Sequence, residues 1–105
     1  MRYNDDDISQ QIRQRIESKR YYFYIHCLVE AKKDGIGPED ILYCLLTGKI
    51  IERYPERRRF LIYGVLKDSI RLHVVVDLNQ NEVLFIVTCY IPDEKIWLRY
   101  QKRKR

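Results

Sequence analysis

From Ile50 to Ile91 the chain is a succession of short strand-like runs with only a few residues between them, and this spacing limits the fold more than any other feature. Residues 50–54 are stopped by Pro55, and residues 60–66 follow the basic turn Glu56-Arg57-Arg58-Arg59. Residues 70–77 and 82–91 are separated by the turn residues Asn79-Gln80-Asn81. A parallel pair needs a crossover of a dozen or more residues, so neighbours this close pair as an antiparallel meander. The aromatic run Tyr21-Tyr22-Phe23-Tyr24-Ile25 offers a fifth strand. The expected fold class is α+β: an antiparallel sheet of four to five strands with helices packed on one face.

The helices come first. Ile8, Ile12 and Ile16 recur every four residues behind Asp5-Asp6-Asp7, and Lys19-Arg20 close the segment, in keeping with the helix dipole. The stripe is narrow, too thin for a core position, so this helix is expected to lie on the domain or on a partner. A second helix over residues 26–34 ends at Gly35, where a left-handed residue is favoured. A third starts at Pro38, buries Ile41, Leu42, Leu45 and Leu46, and stops at Gly48. Pro92-Asp93-Glu94 opens a last helical turn around Trp97. Residues 1–105 thus read as one domain: a leading amphipathic helix (1–20), an α+β core (21–98) and a basic tail (99–105).

With 46% apolar and 33% charged residues, the composition excludes a disordered chain. The apolar runs, such as Leu84-Phe85-Ile86-Val87, fall far short of the ~20 residues of a spanning helix. The acidic opening is unlike a signal peptide, and the expected location is the cytoplasm, with no membrane association. Cys27, Cys44 and Cys89 are far apart, odd in number and without a Cys-x-x-Cys, which suits buried reduced thiols rather than a metal or redox site. No Gly-rich phosphate loop and no metal-ligand motif is present, and neither cofactor nor metal is expected.

Twenty Lys and Arg against fifteen Asp and Glu give a net charge of +5. The positive charge gathers at Arg57, Arg58 and Arg59 and in the tail at Arg99, Lys102, Arg103, Lys104 and Arg105. Such patches attract a polyanion such as RNA; the plainer alternative is a solubilising surface and a frayed tail.

Two histidines narrow the search for chemistry. In Ile70-Arg71-Leu72-His73-Val74-Val75-Val76-Asp77, alternation sends Ile70, Leu72, Val74 and Val76 towards the helices, and Arg71, His73, Val75 and Asp77 to an open face. Val74, Val76, Leu84 and Ile86 are expected among the most buried residues. A histidine beside an arginine on an open face suits acid–base work on a phosphate; the alternative is a half-exposed histidine without a role. Thr88 and Tyr90 share a face of the last strand with Leu84 and Ile86. A tight turn at Gln80-Asn81 sets Val75 against Ile86, His73 against Thr88 and Arg71 against Tyr90, the register expected here; a one-residue change in loop length or a bulge separates them. His26, at a helix start, is expected to be buried and to fix the strand–helix junction by a hydrogen bond, with catalysis the alternative.

His26-Cys27 before a helix ending in Asp34-Gly35-Ile36, then Leu72-His73-Val74-Val75 and Thr88-Cys89-Tyr90-Ile91-Pro92-Asp93-Glu94-Lys95-Ile96-Trp97, resemble the domain-of-unknown-function family 4258 over residues 22–97. Its members are small prokaryotic proteins, many encoded beside a zinc-ribbon antitoxin-like protein. The element order is also similar to that of the RelE and MqsR ribonuclease toxins. The resemblance implies a RelE-like or barnase-like toxin architecture, an RNA-cleaving activity and a possible zinc-ribbon partner. Glu30 and Asp34 stand where many relatives carry arginine, which moves the RNA surface elsewhere or removes the activity.

The implied enzyme is a metal-independent endoribonuclease of a toxin–antitoxin pair. His73 deprotonates a 2′-hydroxyl, Arg71 or another cation stabilises the transition state, and Tyr90 orients the substrate or helps protonate the leaving oxygen, with Thr88 and His26 the other catalytic candidates. Arg57, Arg58, Arg59, Lys102 and Arg103 hold the RNA. The alternative is a non-catalytic RNA- or protein-binding module, docking through the open sheet face and the first helix.

Overall fold

The computed structural model describes residues 4–78 and 81–104. Asn79 and Gln80 of the expected turn, and Arg105 of the tail, lie outside the described residues. Helix α1 (Asp5–Glu17) starts where the Asn4 side chain accepts a hydrogen bond from the Asp6 amide at 2.7 Å. Its three isoleucines are buried in the main core, which corrects the expectation that the stripe is too thin for one. Polar clamps compensate for the narrow stripe. Arg13 donates to the Leu46 carbonyl at 3.0 Å, Arg15 to the Val83 carbonyl at 3.3 Å, and Arg53 pairs with Asp5.

Strand β1 (Tyr21–Phe23) leads into α2 (Ile25–Lys33) and α3 (Pro38–Thr47). Gly35 adopts φ +73° after α2, the left-handed position its sequence predicts. Strands β2 (Lys49–Tyr54), β3 (Arg59–Val65), β4 (Arg71–Leu78) and β5 (Leu84–Tyr90) form the expected meander, with the 3₁₀ turn Pro55–Arg57 between β2 and β3. The five strands run in the order β1-β5-β4-β3-β2, and the fold is α+β with a mostly antiparallel sheet. The exception is β1, which pairs parallel with β5 at the edge. The two helices that follow β1 leave room for that return.

One sheet face packs against all three helices. Leu72, Val74 and Val76 of β4 and Leu84 and Ile86 of β5 are fully buried there among Ile8, Ile41, Cys44 and Ala31. The four residues expected to be most buried are so. The three cysteines are free and buried, and burial pushes the Cys44 thiol up to about 12. At Gly64 an added Cβ would stand 2.7 Å from the Cys44 sulfur, so glycine lets α3 settle on β3.

The other face is covered in part by residues 92–104. The expected helical turn around Trp97 is instead a small hairpin, β6 (Trp97–Leu98) against β7 (Lys102–Arg103). Arg99 and Tyr100 take φ 52° and 65°, two successive left-handed residues that make the tight turn. Lys102 and Arg103 therefore belong to an ordered strap and not to a frayed tail. No helix among the described residues is long and apolar enough to cross a membrane.

Candidate functional site

Two β-bulges decide which side chains meet on the second face. In β2, Ile50 opposes Ile62 but Glu52 opposes Leu61, so Ile51 is an extra residue. In β5, Ile86 opposes Val76 but Thr88 opposes Val75, so Val87 is extra. Each bulge reverses the inside–outside phase of its strand. Ile50 and Ile86 stay in the helical core, while Glu52, Thr88 and Tyr90 point to the second face beside Val75 and His73. The expected pairings of Val75 with Ile86 and of His73 with Thr88 are corrected accordingly: His73 opposes Tyr90. Thr88 and Tyr90 do share a face with His73, but Leu84 and Ile86 do not share it with them.

His73 is fully buried, which corrects its placement on an open face. The Trp97 ring stands edge-on to it at 4.4 Å between centroids, and Tyr90 and Tyr63 lie at 5.2 and 5.7 Å. Its Nε2 reaches the backbone carbonyl of Tyr100, an oxygen that can only accept. Nε2 therefore carries the hydrogen, and in the neutral ring Nδ1 is left to accept from the Tyr90 hydroxyl at 3.2 Å. Burial lowers the His73 pKa from its ordinary value; the Tyr100 bond and the Glu52 charge oppose that, and the Arg103 charge adds to it. Burial also raises the Tyr90 pKa, keeping the phenol protonated.

Tyr90 and Thr88 line a cleft of about 260 Å³, walled by Glu52 and Tyr54 of β2, Arg57 and Arg59 around the 3₁₀ turn, and Arg103 of the strap. Arg103 donates from Nε to Glu52 at 2.7 Å and lies over the Trp97 ring at 4.6 Å. Tyr54 donates to the same carboxylate at 2.9 Å. Burial raises the Glu52 pKa, but the bonds from Arg103 and Tyr54 outweigh it and hold the group below the ordinary carboxylate range. Arg59 grips Asp77 through two bonds of 2.6 and 2.9 Å. Arg57 is exposed at the rim and makes no ion pair among the described residues.

Of the predicted RNA-binding arginines, Arg57, Arg59 and Arg103 meet at this cleft. Arg58 turns its guanidinium to the Leu78 carbonyl in a left-handed conformation, and Lys102 is exposed outside the cleft. Arg71 lies on the same sheet face but stacks over the Tyr100 ring at 4.6 Å, away from the cleft lining. His26 is exposed, not buried, and contacts the Tyr24 ring at 6.3 Å, not the His73 cluster. Glu30 pairs with Lys33 at 3.1 Å on α2, in the helical layer opposite the cleft. Sequence reasoning missed Glu52, Tyr54, Trp97 and Tyr100. Trp97 alone carried a signal, as the one tryptophan in a chain this rich in charge. No three His, Cys, Asp or Glu side chains gather as metal ligands among the described residues.

A family model described as domain of unknown function (DUF4258) matches residues 23–91, a span that includes Tyr54, Arg57, His73 and Tyr90 but not the strap. No curated protein and no solved structure gives a significant match.

Proposed function

The chain belongs to the DUF4258 family, and from that premise we propose that its second-face cleft binds RNA and cuts it by 2′-hydroxyl attack, as a toxin-like endoribonuclease that needs no metal. The observation that carries this reading is the chain of bonds from the cleft inward. A protonated Tyr90 hydroxyl lines the cleft and donates to a buried imidazole whose far nitrogen is held by the Tyr100 carbonyl. His73 cannot touch a 2′-hydroxyl, so its part in the mechanism runs through Tyr90.

The 2′-hydroxyl gives its proton to the Tyr90 oxygen as the Tyr90 proton passes to His73 Nδ1. The resulting imidazolium donates to the Tyr100 carbonyl and feels the ionised Glu52 nearby. The 2′-oxygen attacks phosphorus, the bond to the 5′-oxygen breaks, and the leaving oxygen takes a proton from solvent at the cleft mouth. A 2′,3′-cyclic phosphate results, and His73 returns its proton through Tyr90 to the hydroxide left in the solvent, which restores the neutral ring. Arg57 meets the charge that grows on the phosphate, flanked by the anchored Arg59 and Arg103. Thr88 orients the substrate, and a zinc-ribbon antitoxin-like protein is the partner this reading implies.

One observation favours binding without cutting: both ring nitrogens of His73 are engaged and its basicity is reduced. The two readings part in an assay of single-stranded RNA cleavage with excess chelator. The enzyme reading expects cleavage by wild type, a loss of about a hundredfold or more in Tyr90→Phe, and unchanged RNA affinity in that variant. Binding by folded wild type without any cleavage selects the non-catalytic module.

A further inference from the structure

Sheet register sets five side chains in one row across the second face. Tyr22 opposes Phe85, Phe85 opposes Asp77, Asp77 opposes Arg59, and Arg59 opposes Tyr54. The row joins the edge strand β1 to the wall of the cleft. At its outer end Tyr22 and Tyr24 stand edge-on to Phe85, with ring centroids 5.9 and 6.1 Å away. Tyr22 is 54% exposed and Tyr24 37% exposed, beside Ile25 at 73%. Large side chains of this kind cost free energy in water, and a cluster of them marks a binding surface. The helices cover the opposite face, and the strap's Trp97, Tyr100 and Arg103 contact His73, Arg71 and Glu52, at the other end of the sheet.

Charge complementarity identifies the occupant. Phe85 and Arg59 are two strand spacings apart, roughly 10 Å, and the two bonds to Asp77 fix the Arg59 guanidinium in the row. An exposed aromatic cluster beside the rim arginine Arg57 and the Asp77-bound Arg59 matches a ligand with flat apolar rings joined by anionic linkages. That describes single-stranded nucleic acid, in which unpaired bases stack on tyrosine while phosphates meet arginine. A protein partner with only an apolar patch would leave the exposed Arg57 at the cleft rim without a counterpart. We infer that Tyr22, Tyr24 and Phe85 form a base-stacking subsite that receives a nucleobase of single-stranded RNA whose neighbouring phosphate lies in the Arg57–Arg59 cleft. This deepens the proposed function and rests on reading the cleft as an RNA-phosphate site.

The subsite is tested by fluorescence anisotropy at low salt with two labelled 2′-O-methyl oligoribonucleotides of equal length. One carries all its bases and the other is abasic over the central residues, so phosphate charge is constant and cleavage is blocked. Wild type is expected to prefer the base-bearing strand by about tenfold or more. Tyr24→Ala and Tyr22→Ala should remove that preference and leave abasic binding unchanged, and Tyr24→Trp should keep it. Both positions are exposed, so melting temperatures should match wild type. Arg57→Ala should weaken both strands alike. Equal binding of the two strands by wild type, or equal loss for both in Tyr24→Ala, overturns the stacking subsite and leaves the phosphate cleft intact. Absence of binding to either strand overturns the RNA reading itself, and the subsite with it.

Discussion

The two faces of the sheet are built on opposite rules. Under the helices the sheet presents mostly aliphatic side chains, and Leu72, Val74, Val76, Leu84 and Ile86 are sealed away from water. On the second face the alternation is interrupted by bulges at Ile51 and Val87, and a short hairpin covers only part of the surface. The residues gathered there are Glu52, Tyr54, His73, Thr88 and Tyr90, with Tyr54 bonded to Glu52 and Tyr90 to His73. Among the described residues no buried side-chain nitrogen or oxygen lacks a partner, so this polar cluster is satisfied and rigid, not a defect. The helical face carries the stability of the domain, and the second face spends some of it on geometry.

The sharpest way to break this comparison is to place the same charge on each face. Val74→Asp buries a carboxylate among apolar side chains. With a total stability for such a domain of about 5–15 kcal/mol and a buried unpaired charge costing several kcal/mol, soluble folded protein should be lost. Val75→Asp, one residue on and half-buried, should still give a cooperative unfolding transition. Equal behaviour of the two variants in expression and thermal melts would show that the faces do not differ.

A smaller effect should come from Trp97→Ala, which empties the contact between strap and His73. Removing a buried tryptophan costs about 3–5 kcal/mol when the surroundings cannot collapse. Because the strap is one short hairpin, the loss should be local: hydrogen exchange should quicken over residues 92–104 while amides of β3 and β4 stay protected. Uniform loss of protection would mean that the strap and the helical core unfold as one unit.

The difference between the faces also sets how much the sequence could reveal. Strand spacing was enough for the meander and the α+β class, and alternation in β4 was enough for its inward residues. The single extra residues at Ile51 and Val87 left no local trace, since each lies inside an apolar run that reads as strand either way. They nonetheless decide that Glu52 and Tyr90 face one cleft. The parallel pairing of β1 is likewise a tertiary choice, because a three-residue strand carries no mark of direction. The basic clusters were legible as charge but not as partners: Arg59 and Arg103 are committed to Asp77 and Glu52, while Arg57 stands at the rim and makes no ion pair among the described residues. The burial of His73 depends on Trp97 and Tyr100, whose hairpin looked like a helical turn and a tail.

The smallest expected effect is a pH dependence confined to the second face. Since the folded His73 pKa is lowered mainly by burial, the unfolded chain binds a proton at a pH where the folded one does not. The stability this gives is present above the unfolded value near 6.5 and is lost as pH falls below it towards the folded value. Between pH 7.5 and 5.5 the melting temperature of wild type should fall by more than that of His73→Gln, which keeps polar atoms without a titrating ring. Parallel curves for the two proteins would place the titration elsewhere.

The central claim, that the second face cuts RNA from its own 2′-hydroxyl, is tested most directly by one chimeric substrate. A single-stranded RNA is incubated with the protein in excess chelator, beside the same strand carrying 2′-deoxynucleotides at the mapped cleavage positions, and the products are weighed by mass spectrometry. The account predicts fragments ending in 2′,3′-cyclic phosphate from the RNA, no cleavage at the deoxy positions, and loss of the products in Tyr90→Phe. Cleavage at the deoxy positions, or an intact RNA with folded wild-type protein, would contradict it.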